Sequence, residues 1–519
     1  MKKLYLLGVV SLIAVFCLVI LGNSVIVKSA SVIDLKPLIE QAGSGTLILK
    51  GKKEVTYIVN EPIRNVKCSI QGAPGGSSVK ANFKGYGNSE TPSLLHYQAG
   101  IHNIFIKNIS FDLAQIGRGA INFYQNTNIV VENCFFTGYS KTYGWRAVDS
   151  SICFTDSKNI TIRNNRFINN GYQYGRALSE LNRCITIQGN AGDNYTIYNN
   201  EFTKVSQAIV VNGNKISKFS VYNNAFNAVI DNSIYLLDIP VANIYNNDFN
   251  KTKTTNSPDE GIVLSGGHFK ITNNRAYNVL NKFIAINGTT KSVEVTNNNV
   301  KNEKTQQRPA VIAWRNNTAY TVQQLNFSNN KIDTDTAPAN YDTIPIGRVK
   351  KLTIQANQFI VKGLANYQNL FSLQGQAEMD SVQITGNTVK PRAGSVIAKN
   401  ACLLREKVPV VPQIKVLKME SNKFSGKYPA ILNRIGGTVK LNGYRNRSKC
   451  MTGTYSGPIV RARLVVNGVA KQLGGAFMNG KFQFYVGGHT RYKSTDKVDL
   501  IAYNANNKQL DRERVRIIK

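Results

Sequence analysis

The chain has 519 residues with 64 Lys and Arg against 30 Asp and Glu, a formal charge of +34 that implies an acidic partner. Four His and seven Cys with no Cys-x-x-Cys pair argue against a His-based metal cluster, a His-dependent nucleophilic triad and a zinc ribbon. The basic residues are spread along the chain instead of gathered into one run, and no nucleic-acid module is recognisable, so nucleic acid is not the expected partner.

Residues 1–30 open with Lys2-Lys3, continue with an apolar run from Leu4 to Gly22, and end on the small residues Ser29 and Ala30. This pattern predicts a secretory signal. The run is also long enough to span a bilayer, so an uncleaved anchor is the alternative and the only route to a membrane. Phe16 before Cys17 disfavours lipidation. Cleavage near Ala30 removes Lys2, Lys3 and Lys28 and leaves 34 minus 3, or +31. Outside a cell, the acidic partners on offer are uronic-acid polysaccharides, teichoic-type wall polymers, anionic lipid surfaces and extracellular nucleic acid.

Residues 31–100 predict a cap, with an amphipathic helix from Leu35 to Ala42 and then strands at Gly45 to Leu49, Tyr57 to Val59 and Cys68 to Gly72. Residues 101–435 carry a repeated phrase, seen in Ile160-Thr161-Ile162-Arg163-Asn164-Asn165-Arg166-Phe167, whose copies lie 23 to 35 residues apart. Its first Asn column reads Asn108, Asn133, Asn164, Asn199, Asn223, Asn246, Asn273, Asn297 and Asn329, continued by Ala356, Gly386 and Ser421. The next column is Asn from Asn165 to Asn422, and three residues after the first column stand mostly Phe, as in Phe111, Phe136, Phe167, Phe202, Phe226 and Phe249. Asn tolerates a left-handed backbone and can hydrogen-bond its equivalent on the next coil, so the columns predict an asparagine ladder over an aromatic and aliphatic stack. A second apolar alternation precedes each phrase, as in Ala208-Ile209-Val210-Val211. Two or three short strands per period of about 25 residues predict a solenoid of about twelve coils stacked ~4.8 Å apart, and the period-two alternation excludes a helical repeat.

With its Asn corners, the chain from about residue 34 to 435 resembles the right-handed parallel β-helix proteins of the pectin-lyase-like superfamily. The fold class expected is therefore all-β, a right-handed parallel β-helix solenoid followed by a small β-sandwich. A capping helix also belongs to that resemblance and meets a physical need, since an open coil end would expose core and unpaired backbone.

The repeat fades after Phe424, and residues 436–449 are expected as a linker. Residues 450–519 hold short alternating strands and two Asn-Gly turn signals, Asn467-Gly468 and Asn479-Gly480, which predict hairpins in a small sandwich. With Gly453-Thr454-Tyr455-Ser456-Gly457, this segment resembles the bacterial immunoglobulin-like modules of Gram-positive surface proteins, which implies a stalk or adhesive role. Its Arg461, Arg463, Arg512, Arg514 and Arg516 are placed to hold an acidic wall polymer. Of the six Cys beyond the signal, Cys153 and Cys184 fall on adjacent coils two positions out of register, roughly 8 Å apart by strand geometry, too far for a disulfide. Cys134 and the others are expected to be free, with a Cys402–Cys450 bridge between solenoid and sandwich as the alternative.

Equivalent residues of stacked coils stand ~4.8 Å apart, a spacing suited to a linear sugar chain. Aligning the strands that precede each corner sets Asp149, Asn182, Ser206, Asp231, Asp259, Asn281 and Arg308 in one column and Ser150, Arg183, Gln207, Asn232, Glu260 and Lys282 in the next. Asp231, Asp259 and Glu260, flanked by Arg183 and Lys282, form a strip whose carboxylates would share acid and base roles in glycoside hydrolysis. Alternatively they would hold Ca²⁺ beside a uronate, with Arg183 or Lys282 as base, as the resemblance to lyases implies. Coil corners are equally where polar residues belong for purely structural reasons. The hydrolase motifs of the resembled family, Asn-Thr-Asp, Asp-Asp, Gly-His-Gly and Arg-Ile-Lys, are absent, with only Gly266-Gly267-His268 as an echo. Tyr139, Tyr143, Trp145, Tyr172 and Tyr174 crowd two inserted loops beside the strip and Trp314 ends a later strand, the residue types on which sugar rings stack. Two functions stay open on this reading. One is a secreted or surface-attached monomer that recognises, and as a lyase or hydrolase cleaves, an acidic polysaccharide, with Asp231, Asp259, Glu260 and Arg183 catalytic. In that case Asp149, Asn182, Lys282, Arg308, Tyr143, Trp145, Tyr174 and Trp314 bind substrate. The other is a non-catalytic adhesin or wall-polymer-binding protein on a rigid β-helical stalk.

Overall fold

The computed structural model describes residues 31–518, except 84–92, 116–118, 140–149, 171–182, 190–191, 214, 251–259, 280–281, 303–309, 315–319, 335–343, 363–368, 374–378, 397–401, 407–413, 426–430, 434–436, 457–458, 479–480, 488–489, 504–506 and 508. The signal or anchor expected at 1–30 thus lies outside the described residues. A fifteen-stranded parallel sheet runs the length of the solenoid. Its strands from Ile109–Asp112 to Lys423–Phe424 each follow one of the twelve predicted corners, and Ser31–Asp34, Val55–Val59 and Ser77–Ala81 add three cap coils before them. The other walls are a twenty-one-stranded sheet and a four-stranded parallel sheet built from Ile344–Ile346, Asn369–Leu373, Cys402–Glu406 and Ile431–Asn433.

All twelve first-column residues, from Asn108 through Ala356, Gly386 and Ser421, sit at positive φ, between 52° and 65°. Turning the chain between two strands requires that conformation, which Asn accepts more readily than other residues with a Cβ. The second column makes the ladder. Asn165 Nδ2 donates to Asn200 Oδ1 at 3.0 Å, the Asn165 backbone N–H donates to the same oxygen at 2.9 Å, and the pattern repeats through Asn387 to Asn422. Cys134 heads the column, its N–H donating to Asn165 Oδ1. Beneath the corner the Phe column stacks face to face from Phe111 to Phe249, with centroids 4.8 to 5.3 Å apart. The column breaks at Ala276, where Phe283 meets Phe249 edge-on instead.

The cap helix Leu35–Ala42 is N-capped by Asp34, whose side chain accepts from the Lys36 N–H, and it buries Leu35 and Ile39 against the first coils. Three later strands, Ile234–Tyr245, Glu260–Thr272 and Lys282–Thr296, run unbroken through what is elsewhere a turn between two strands. Gly266 and Gly267 allow this bend. Gly266 has φ +118°, and a Cβ on Gly267 would lie 1.8 Å from the Pro240 carbonyl oxygen.

The sandwich begins earlier than expected. Thr438–Leu441 pairs antiparallel with Cys450–Ser456, and Tyr444–Arg445 pairs with Ile517–Ile518, so most of the stretch expected as a linker is sandwich. Its alternation is too short to stand out, but across from Tyr455 it buries Val439. Asn467 and Gly468 take φ 49° and 82°, the two positive values of a type I′ hairpin joining Arg461–Val466 to Val469–Gly474. Buried side chains form two separate clusters, one from Leu35 to Ile414 and one from Val439 to Val515. Cys450 is free, so it forms no bridge to Cys402, and Cys153 and Cys184 are also free and buried.

Candidate functional site

The strip of predicted site residues follows from strand register. Ser150 stands opposite Arg183, Arg183 opposite Gln207, and Glu260 opposite Lys282. Further along, Ile284 pairs with Ile312 and Lys282 with Ala310, one residue away from the alignment that put Arg308 in the column. The apolar run Ala310-Val311-Ile312-Ala313 does not disclose which residue faces inward.

At the centre of the strip, Arg183 Nε donates to Gln207 Oε1 at 3.2 Å, and Gln207 Nε2 donates to Asp231 Oδ2 at 2.5 Å. A guanidinium, an amide and a carboxylate from three successive coils therefore form one hydrogen-bonded chain. Asp231 is 7% exposed, and Ser206, Asn232 and Ser233 beside it are buried. Asn232 Oδ1, Ser206 Oγ and Ser233 Oγ have no hydrogen-bond partner among the described residues, although buried polar atoms nearly always find one. The corner therefore holds a cationic head beside buried oxygen atoms. Gln207, which the sequence reading placed in the column without a role, is the link.

Lys282 is half-buried and in register with Glu260. Glu260 opens the strand Glu260–Thr272, and Trp314 stands in the register of Ile286. Asp149, Asn182, Asp259, Arg308, Tyr143, Trp145, Tyr172 and Tyr174 lie outside the described residues. Tyr139 is no exposed platform. It is fully buried, its hydroxyl donating to Ser151 Oγ at 2.7 Å and to the Arg183 carbonyl at 3.1 Å, which pins the strand that carries Arg183. Of the outward positions of these strands, Cys153, Thr186, Val210, Val263 and Ala285 are buried and Tyr235 is half-buried.

His268 lies away from the strip, eight residues beyond Glu260 and past the Gly266-Gly267 bend, with Nδ1 2.8 Å from Ser292 Oγ. The glycines of that motif are explained by backbone crowding. No group of three or more His, Cys, Asp or Glu able to hold a metal occurs among the described residues. In the sandwich, Arg512 and Arg514 both donate to Asp499, whose side chain is 4% exposed. Burial pushes the Asp499 carboxyl upward, but the Arg512 and Arg514 hydrogen bonds and charges outweigh it and hold the group below the usual carboxylate range. Those two arginines, expected to serve an external polymer, are engaged internally.

A model of the bacterial Ig domain family matches residues 437–519. Comparison with curated proteins finds no match. Among solved structures, a mutant tailspike protein of E. coli bacteriophage HK620 in complex with a pentasaccharide is 12% identical with a TM-score of 0.38, covering 90% of this chain and 88% of that one. PfbA, a surface adhesin of Streptococcus pneumoniae, is 12% identical at TM-score 0.37 over 80% of this chain and 98% of its own. A hyperthermoactive exopolygalacturonase from Thermotoga maritima is 9% identical at TM-score 0.30 over 74% and 86%. The strand registers and the Asn ladder establish a parallel β-helix, and the family match assigns a bacterial Ig domain to residues 437–519.

Proposed function

We propose that the protein is secreted or surface-attached and that its β-helix binds an acidic polysaccharide at the corner built by Arg183, Gln207 and Asp231, with Lys282 as a second cation. The observation that carries this reading is the chain from Arg183 through Gln207 to Asp231, which holds a guanidinium in one orientation beside buried oxygen atoms with no partner among the described residues. A preoriented Arg recognises a carboxylate or phosphate by a paired hydrogen bond. The excess of 34 positive charges favours approach of such a polymer. Asp231 accepts the Gln207 amide and is nearly buried, an arrangement better suited to fixing the site than to exchanging protons with a sugar. Binding without cleavage is therefore the reading preferred over a lyase or hydrolase, and the apolar segment at 4–22 and the Ig domain support placement outside the cell.

Residues 31–519 incubated with a panel of acidic polysaccharides, with and without Ca²⁺, test this. The expected outcome is binding that weakens as salt is raised, no new reducing ends and no ultraviolet absorbance of unsaturated uronides. Arg183→Gln is expected to weaken binding about tenfold, the loss of one charge-assisted pair. Unsaturated product would establish a lyase, reducing ends alone a hydrolase, and absence of binding across the panel would sink the proposal.

A further inference from the structure

The outer face of the fifteen-stranded sheet carries a feature separate from the corner. Two rows of outward side chains run along the solenoid there, one on each side of the inward Phe249, Ala276, Val300 and Ile332 column. The first row is Asp248, Arg275, Asn299 and Lys331, and the second is Asn250, Tyr277, Lys301, Asp333 and Ile360, each in register with the next. The rows line a groove of about 570 Å³. That size falls within the usual range of small-ligand sites, and five strands at ~4.8 Å spacing make it elongated along the axis.

The charges are arranged unequally. Asp248 is paired with Arg275 at 2.6 Å. Asp333 takes both Nε and Nη2 of Arg392, which reaches in from a later coil and also donates to the Asn302 carbonyl. Both carboxylates of the groove are thereby neutralised. Arg275, Lys301, Lys331 and Arg392 stand against Asp248 and Asp333, four positive charges against two negative, and Lys331 makes no ion pair among the described residues. The Lys301 ammonium lies 5.8 Å from the centroid of the half-buried Tyr277 ring. Asn250 Oδ1 is buried and has no hydrogen-bond partner among the described residues.

We propose that this groove is a second glycan-binding site, taking a linear oligosaccharide that carries carboxylates and lies along the solenoid axis. Tyr277 offers an apolar ring face to one sugar, and Lys301 with Lys331 meets the acid groups on successive residues. A peptide brings no sugar ring to the Tyr277 face, and a neutral glycan has no use for the two lysines, which stand on adjacent coils in different rows. The proposal shares only its class of ligand with the corner around Arg183, and it stands even if that corner binds nothing.

Calorimetric titration of residues 31–519 with oligogalacturonate tests it, with the methyl-esterified oligomer and polyglutamate as comparison probes. Tyr277→Ala and Lys331→Gln are each expected to weaken oligogalacturonate binding about fivefold to tenfold, with Tyr277→Phe close to the unsubstituted protein. The ester and polyglutamate are expected to bind at least tenfold more weakly, because one lacks charge and the other lacks rings. Lys331 is exposed, so Lys331→Gln decides the matter if Tyr277→Ala alters the thermal unfolding of the protein. Unchanged affinity in both groove variants, or loss of all binding on Arg183→Gln alone, overturns the proposal. Equal binding of polyglutamate reduces the groove to a patch of charge and overturns it too.

Discussion

Asn164 and Asn165 are adjacent and identical, yet the two positions ask different things of the side chain. Asn164 supplies a backbone at φ 56°, a requirement that Gly386 also meets and that Ala356 meets only under strain. Asn165 supplies hydrogen bonds that no other residue type in the column could complete, since one amide must donate to Val131 O and Asn200 Oδ1 while its own oxygen accepts from the coil before. The two columns should therefore respond in opposite ways. Asn247→Ala removes an acceptor for the Asn224 N–H and Nδ2 and donors to Val221 O and Asn274 Oδ1, all buried. It is expected to cost about 2–4 kcal/mol, since each buried group left unpaired costs about 1–3 kcal/mol. Ala356→Gly is expected to stabilise by about 1 kcal/mol, because it relieves a left-handed alanine. Urea unfolding of both variants checks the pair, and equal destabilisation by the two would contradict this division of roles. The first column was legible in the sequence as Asn tolerant of a corner, whereas the assignment of ladder to the second column needed the coordinates, because either amide could reach the next coil.

Among elements, the strand pair Val498–Tyr503 and Gln509–Arg514 shows how one residue redirects two others. Asp499 faces Arg514 across the ladder, and Arg512, the partner of Ile501 two residues on, projects from the same face, so both guanidiniums converge on one nearly buried carboxylate. The folded-state pKa of Asp499 lies below that of the unfolded chain, so its contribution is complete above about pH 4. It is lost as pH falls through the depressed folded value. Thermal unfolding of the full chain should show the sandwich transition falling in temperature on acidification below about pH 4. Asp499→Asn should lower that transition at neutral pH by an amount corresponding to about 2 kcal/mol and flatten its acid dependence. An Asp499→Asn protein with an unchanged acid profile would rule this account out. The arginines were visible in the sequence as an alternating basic strand. Their partner was not, because a strand's charges acquire meaning only from the strand hydrogen-bonded beside it.

For the whole molecule, two core clusters that share no residue, one closing at Ile414 and the other opening at Val439, imply two units of cooperative unfolding. A solenoid gains its stability from each coil stacking on its neighbours, and a sandwich from its own closed core. Calorimetry of residues 31–519 is expected to show two endotherms, with Asp499→Asn moving one and Asn247→Ala the other. A single transition shifted by both substitutions would show that the two parts unfold together. The charge of +34 acts at this scale as well and, on the proposed function, would draw acidic polymers to the surface that carries the corner and the groove.

The sequence by itself determined the parts of this protein that repeat or depend on a few adjacent residues. These are the corners from Asn108 to Ser421, the Phe column, the capping helix and the Asn467-Gly468 hairpin. Each is dictated by local backbone sterics or by stacking that recurs at every coil, so the chemistry is printed many times over. Only the tertiary structure decided which side chains meet between coils. Arg183 reaches Asp231 through Gln207, 24 residues further on in each step. Tyr139 turns inward to Arg183, Arg512 and Arg514 close on Asp499, and Arg392 crosses 59 residues to neutralise Asp333. The physical reason is that coil length varies from one turn to the next. The neighbour of a given residue is therefore set by register, as the one-residue offset at Ile312 demonstrates, and a charge is free or engaged according to that neighbour.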